Sequence, residues 1–159
     1  MTLEVLEDGA ERYVTRGGVA ITRKRHDTPY DGAIEAYIDG LDTRRGCVFS
    51  SNYEYPGRYT RWDTAIIDPP LVVSARGRAM VIEALNPRGE ALLPVIRRTV
   101  EALPEVTPGE ASATRLSLTV AEPSRVFTEE ERSRAPTVFT VLRALVDLFR
   151  SDDDANIGL

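Results

Sequence analysis

The chain has 159 residues, the length of one domain when about 150 residues is taken as the ordinary size. Its 42% hydrophobic and 28% charged residues suit a chain that folds around a core. A net charge of −5 excludes a broad electrostatic grip on nucleic acid or an anionic membrane. The single cysteine, Cys47, excludes an internal disulfide and, with the single histidine, His26, falls short of a Cys/His zinc site; the absence of a long apolar run or a signal pattern in Met1–Arg12 predicts a cytoplasmic location.

In chain order, Val19, Ile21 and Arg23 alternate with Ala20, Thr22 and Lys24 after Gly17-Gly18, as in a strand with one buried face. Thr28-Pro29-Tyr30-Asp31 has a capping hydroxyl, a proline at the first helical position and an acid three residues on, so a helix is predicted over Pro29–Thr43. Arg44 and Arg45 then complement its dipole, and Gly46 ends it. Cys47-Val48-Phe49-Ser50 reads as a buried strand running into the polar, aromatic segment Ser51–Asp63.

Leu71–Ala75 and Ala79–Leu85 are separated by Arg76-Gly77-Arg78 and predict a hairpin. Asn86-Pro87-Arg88-Gly89 reads as a turn, and Leu92 to Leu103 as a helix with Pro94 in its first turns. Residues 104–114, rich in proline, glycine, serine and threonine, are expected to be a linker between a strand/helix unit over 1–103 and strands and helices over 115–159. Leu116–Val120 predicts a strand, and Thr128-Glu129-Glu130-Glu131 a short acidic helix. From Pro136 on, Val138 to Phe149 carry an apolar arc wide enough to need cover on more than one side. Ile157-Gly158-Leu159 reads as the opening of an interrupted strand, as if the chain were cut.

No catalytic constellation is apparent. Cys47 sits in an apolar strand and reads as a core residue rather than a nucleophile, and His26 as a solvated loop histidine. Asp152-Asp153-Asp154 reads as a solvated turn rather than a magnesium site. The segment from Ser50 to Asp63 is chemically richer. Hydroxyls at Ser50 and Ser51 and the amide of Asn52 can accept from an ammonium group, while Arg58 and Arg61 can donate to a carboxylate. Val48, Phe49 and the tyrosines can add an apolar wall. Composition alone favours a bland strand-turn-strand connection, with the aromatics in the core and the arginines at the surface.

Leu6–Arg12, Thr43–Gly46, the run Ser50–Asp63 and Pro136–Phe139 resemble the amino-terminal part of anthranilate synthase component I, especially the bacterial form fused to its glutamine amidotransferase. The resemblance implies an α+β fragment: antiparallel sheets of an α/β sandwich with outer helices, from a larger chorismate-utilising enzyme. That enzyme makes anthranilate and pyruvate from chorismate and glutamine-derived ammonia, with Mg2+ bound in a catalytic half that would lie outside this chain. It also implies an allosteric L-tryptophan site. The family's Leu-Leu-Glu-Ser motif corresponds to Val48-Phe49-Ser50-Ser51, which assigns Val48, Ser50, Ser51 and Asn52 to that site, with Ser50 replacing the glutamate. Gly57-Arg58-Tyr59 resembles a Gly-Arg-Tyr-Ser segment and adds Arg58 and Arg61 as further candidates. Expected partners are tryptophan, the catalytic half and the amidotransferase, with no nucleic acid and no membrane. The alternatives are another chorismate enzyme, making aminodeoxychorismate, isochorismate or a phenazine precursor, and a free-standing amino-acid-binding module.

Overall fold

The computed structural model describes residues 3–29, 31–50, 63–123, 128 and 135–152. Their elements in chain order are β1 (Glu4–Val5), β2 (Glu11–Val14), β3 (Ala20–Arg23), α1 (Ala33–Gly40), β4 (Gly46–Phe49), β5 (Thr64–Ile67), β6 (Leu71–Arg76), β7 (Ala79–Ala84), α2 (Pro87–Glu101), β8 (Val106–Ala111), β9 (Arg115–Val120) and α3 (Val138–Phe149). Three antiparallel sheets result, ordered β1-β2-β3, β4-β5 and β6-β7-β9-β8, and none closes into a barrel. The fold class is the expected α+β. The chain divides into two units: residues 26–70 form one, and the residues before and after them form the other.

The core of the larger unit follows from period-two burial on β7 and β9. Met80 pairs with Leu118 and Ile82 with Leu116, so all four side chains stand on one face of the sheet. Leu93, Ile96 and Val100 of α2 and Val141, Leu145 and Leu148 of α3 pack onto them. Each such side chain contributes about 1.5–3 kcal/mol relative to leaving it in water. The predicted β6–β7 hairpin is present, and Gly77 supplies the positive φ of 61° at its turn. Of the α3 arc, one side is covered; Phe139 and Val146 are 61% and 54% exposed.

Three expectations change. Asn86 does not belong to a free turn: its side chain accepts from the N–H groups of Arg88 and Gly89 at 3.1 and 3.3 Å, so it caps α2, and Pro87 takes the first helical position. Pro94 consequently lies inside the helix. It and Glu90, whose carbonyl loses its N–H partner, are both solvent-exposed, so water can serve that carbonyl. The 104–114 stretch contains β8, an edge strand whose register shifts between Pro108 and Ala111. An edge with a bulge is where a sheet tolerates proline.

The third change concerns α1, which covers Ala33–Gly40 rather than Pro29–Thr43. Gly32 stands before it at φ 78° and makes no side-chain cap, so the Thr28-Pro29 signal is not used. The last turn carries no basic residue, and Gly46 opens β4 instead of ending the helix. The Glu129-Glu130-Glu131 helix signal and Ile157–Leu159 lie outside the described residues.

Candidate functional site

The motif expected to bind an amino acid begins on β4. Its ladder with β5 is registered Gly46↔Ile67, Cys47↔Ile66, Val48↔Ala65 and Phe49↔Thr64. Side-chain alternation puts Gly46, Val48, Ala65 and Ile67 on one face and Cys47, Phe49, Thr64 and Ile66 on the other. Helix α1 lies against the first face. A β-carbon on Gly40 would sit 3.0 Å from Ile67 Cδ1, and one on Gly46 would sit 2.8 Å from Leu41 Cδ2 and run into the Ile66 carbonyl. Glycine at 46 is what allows the ladder and the helix end to approach so closely.

The second face is open, with Phe49 66% and Ile66 45% exposed. Val48 and Phe49, expected together as one apolar wall, therefore point to opposite sides of the hairpin. The expectation of a buried strand also fails: Cys47 and Val48 are half-buried, and no described residue of 26–70 is fully buried. Ser50 follows the last residue of β4 and is exposed. Ser51, Asn52, Arg58 and Arg61 lie outside the described residues.

The far end of the ladder is closed by a pair that sequence reading missed. Arg44, expected at a helix dipole, instead bonds the Asp68 carboxylate through its Nε at 3.0 Å and through Nη2. Hydrogen bonding to Asp68 raises the Arg44 pKa above its ordinary value. Asp68 itself has φ 52°, and its N–H donates to the Arg45 carbonyl at 2.8 Å. Nothing local in the sequence couples residues 24 apart.

A second missed cluster lies in the other unit. Glu11, only 7% exposed, accepts from Arg23 Nε at 2.8 Å and from Arg25, while Arg23 lies 5.3 Å from the Tyr13 ring centroid. The bond from Arg23 is the largest influence holding the Glu11 carboxyl below its ordinary value. Period-two spacing of Glu11 and Tyr13 was a readable signal for a shared face, whereas the pairing partner was not.

Cys47 is a free, half-buried thiol opposite Ile66, and His26 is exposed. Among the described residues no group of three or more His, Cys, Asp or Glu side chains is placed to hold a metal ion. Asp152, the described member of the acidic run, is forked by Arg16 at 2.5 and 3.3 Å. A depression of about 340 Å³ lined by Glu110, Ala111, Ser112 and Arg115 lies at the β8–β9 end and includes none of the expected site residues. No helix among the described residues is long and apolar enough to cross a membrane.

No protein-family model matches the chain. Over 148 residues, covering 93% of this chain and 20% of the relative, it is 43% identical to anthranilate synthase of Azospirillum brasilense. Over 89 residues, covering 56% of this chain and 17% of the relative, it is 36% identical to anthranilate synthase component 1 of Serratia marcescens. The chain thus spans about a fifth of the length of these relatives. The longer match leaves out so little of the chain that the run Ser50–Asp63 falls inside it. Similarity along nearly the whole chain therefore places it with a segment of the anthranilate synthase component I family.

Proposed function

We propose that the chain is a regulatory and structural part of an anthranilate synthase, a cytoplasmic lyase of tryptophan biosynthesis, and that it carries part of the L-tryptophan feedback site. The observation that carries this reading is the 43% identity over 93% of the chain, which includes the strand-end motif. In the reaction, chorismate and ammonia from glutamine give anthranilate and pyruvate, and the catalytic half and glutamine amidotransferase are the partners. The Azospirillum relative is the longer polypeptide, since 148 residues are 20% of it whereas 89 are 17% of the Serratia protein. That extra length is in keeping with a fused amidotransferase.

The site chemistry follows from what tryptophan presents. An indole buries about 150–250 Å², worth about 4–6 kcal/mol at 25 cal/mol/Å², and a micromolar ligand needs about 8 kcal/mol. Polar capture of the ammonium and carboxylate makes up the difference. Ser50, Ser51 and Asn52 supply acceptors where β4 ends, Val48 supplies an adjacent wall, and Arg58 and Arg61 are carboxylate donors. Inhibition further requires tryptophan to prefer an inactive arrangement, for which a coupling of about 1–3 kcal/mol is typical. In the complete enzyme, Ser51→Phe is expected to keep most of the uninhibited rate and to need at least about tenfold more tryptophan for half inhibition, a loss of about 1.4 kcal/mol of binding. An unchanged tryptophan inhibition curve in a folded variant removes Ser51 from the site.

A further inference from the structure

Helix α3 ends without a cap of its own. Arg150 leaves it in extended conformation, at φ −66° and ψ 140°, no glycine follows at once, and its last turn carries no basic residue. The final carbonyls of such a helix need donors from elsewhere. Those donors come from the turn between β2 and β3. The N–H of Gly17 donates to the Leu148 carbonyl at 3.1 Å, and the N–H of Arg16 to the Arg150 carbonyl at 2.7 Å. Arg16 then forks the Asp152 carboxylate through Nε and Nη2, which also places a cation at the negative end of the helix dipole.

The fit leaves no room for a side chain. A β-carbon on Gly17 would sit 2.8 Å from the Leu148 carbonyl oxygen and 3.1 Å from its Cα, contacts with backbone that a rotamer change cannot relieve. The turn itself is closed independently: Thr15 N–H donates to the Val19 carbonyl and Gly18 N–H to the Thr15 carbonyl, each at 2.9 Å, and Val19 N–H to Thr15 Oγ1 at 3.1 Å. A preformed turn meets an uncapped helix end across more than a hundred residues of sequence. We propose that the β2–β3 turn is a latch that caps α3 in trans, so that hairpin and helix end open and close as one unit and the engagement of residues 16 and 17 sets whether the last turn of α3 is ordered.

Amide hydrogen exchange on the full 159-residue chain tests this. The amides of Arg16 and Gly17 report the latch, those of Gly18 and Val19 report the turn, and those of Leu148 and Phe149 report the helix end. Gly17→Val is expected to speed exchange at Arg16, residue 17, Leu148 and Phe149 by at least about tenfold while sparing Gly18, Val19 and the β7–β9 core, as for an opening smaller than global unfolding. Asp152→Asn introduces no clash and is expected to speed the same latch and helix-end amides by about threefold, the scale of an exposed ion pair. Unchanged exchange at Leu148 and Phe149 in either variant overturns the latch. So does a uniform acceleration across all these amides and the core, which would make the contact one part of global stability.

Discussion

The opposed directions of Val48 and Phe49 make the feedback reading testable at single side chains. Val48 is half-buried on the α1 face of the β4–β5 ladder, two residues before Ser50, whereas Phe49 is 66% exposed on the other face. On the proposed reading, a tryptophan bound on the Val48 side of the ladder touches the valine and not the phenylalanine. Val48→Ala removes two methyl groups, each worth about 0.8 kcal/mol when fully buried. Half burial in the free protein leaves about half of that still to be gained when ligand covers the side chain, so the variant forfeits about 0.8 kcal/mol of binding. At 1.4 kcal/mol per decade this is about a fourfold rise in the tryptophan needed for half inhibition. Phe49→Ala deletes a larger apolar surface, yet from the face turned away, so its inhibition curve is expected to stay within about twofold of wild type, or less than about 0.4 kcal/mol. The assay is anthranilate fluorescence in the complete enzyme against a tryptophan titration, with the uninhibited rate as control. A shift on Phe49→Ala with none on Val48→Ala would refute the assignment of the site to the α1 face.

Two further outcomes are expected. The chain by itself is expected not to turn over chorismate with ammonia and magnesium above a no-protein blank; anthranilate fluorescence above that blank contradicts a non-catalytic segment. Glu11 has a folded pKa below its ordinary value of 4.5, chiefly through the Arg23 bond, so its contribution to stability is present above that value and lost as pH falls through the lower folded pKa. Glu11→Gln is therefore expected to lower the melting temperature at pH 7, by an amount that shrinks as both proteins are taken to pH 3; an offset that stays constant across that range contradicts the ion-pair account.

The legible parts of this protein were those set by local periodicity. The two β-rich stretches Leu71–Ala75 and Ala79–Leu85, separated by Arg76-Gly77-Arg78, specify the β6–β7 hairpin, because apolar and β-branched residues on either side of a glycine turn are a local signal. Helical spacing of Leu93, Ile96 and Val100 specifies the buried stripe of α2, and the apolar run from Val138 to Phe149 specifies α3. The run Ser50–Asp63 was enough to identify the family relationship, since a long specific motif is recognised from residue order alone.

Elsewhere a local signal had more than one physical use, and packing chose among them. Asn86-Pro87 suits a turn or a helix start; in the fold it is a helix start, with the Asn86 side chain capping α2 and Gly89 buried on the same stripe as Leu93, Ile96 and Val100. Pro108-Gly109 breaks a strand in the middle of a sheet but not at its edge, and only the strand order shows that β8 is an edge. The cap signal at Thr28-Pro29 lost to Gly32, and the two neighbours Val48 and Phe49 were separated by a ladder whose partner, β5, begins fifteen residues later. Sequence by itself determined which residues are apolar and with what period; the tertiary structure decided which groups distant in the chain meet. The carboxylate of Glu11 between two arginines, Arg44 on Asp68 and the Gly17 turn on the end of α3 are all of that second kind, because a hydrogen bond depends on position in space and leaves no mark on the spacing of either partner.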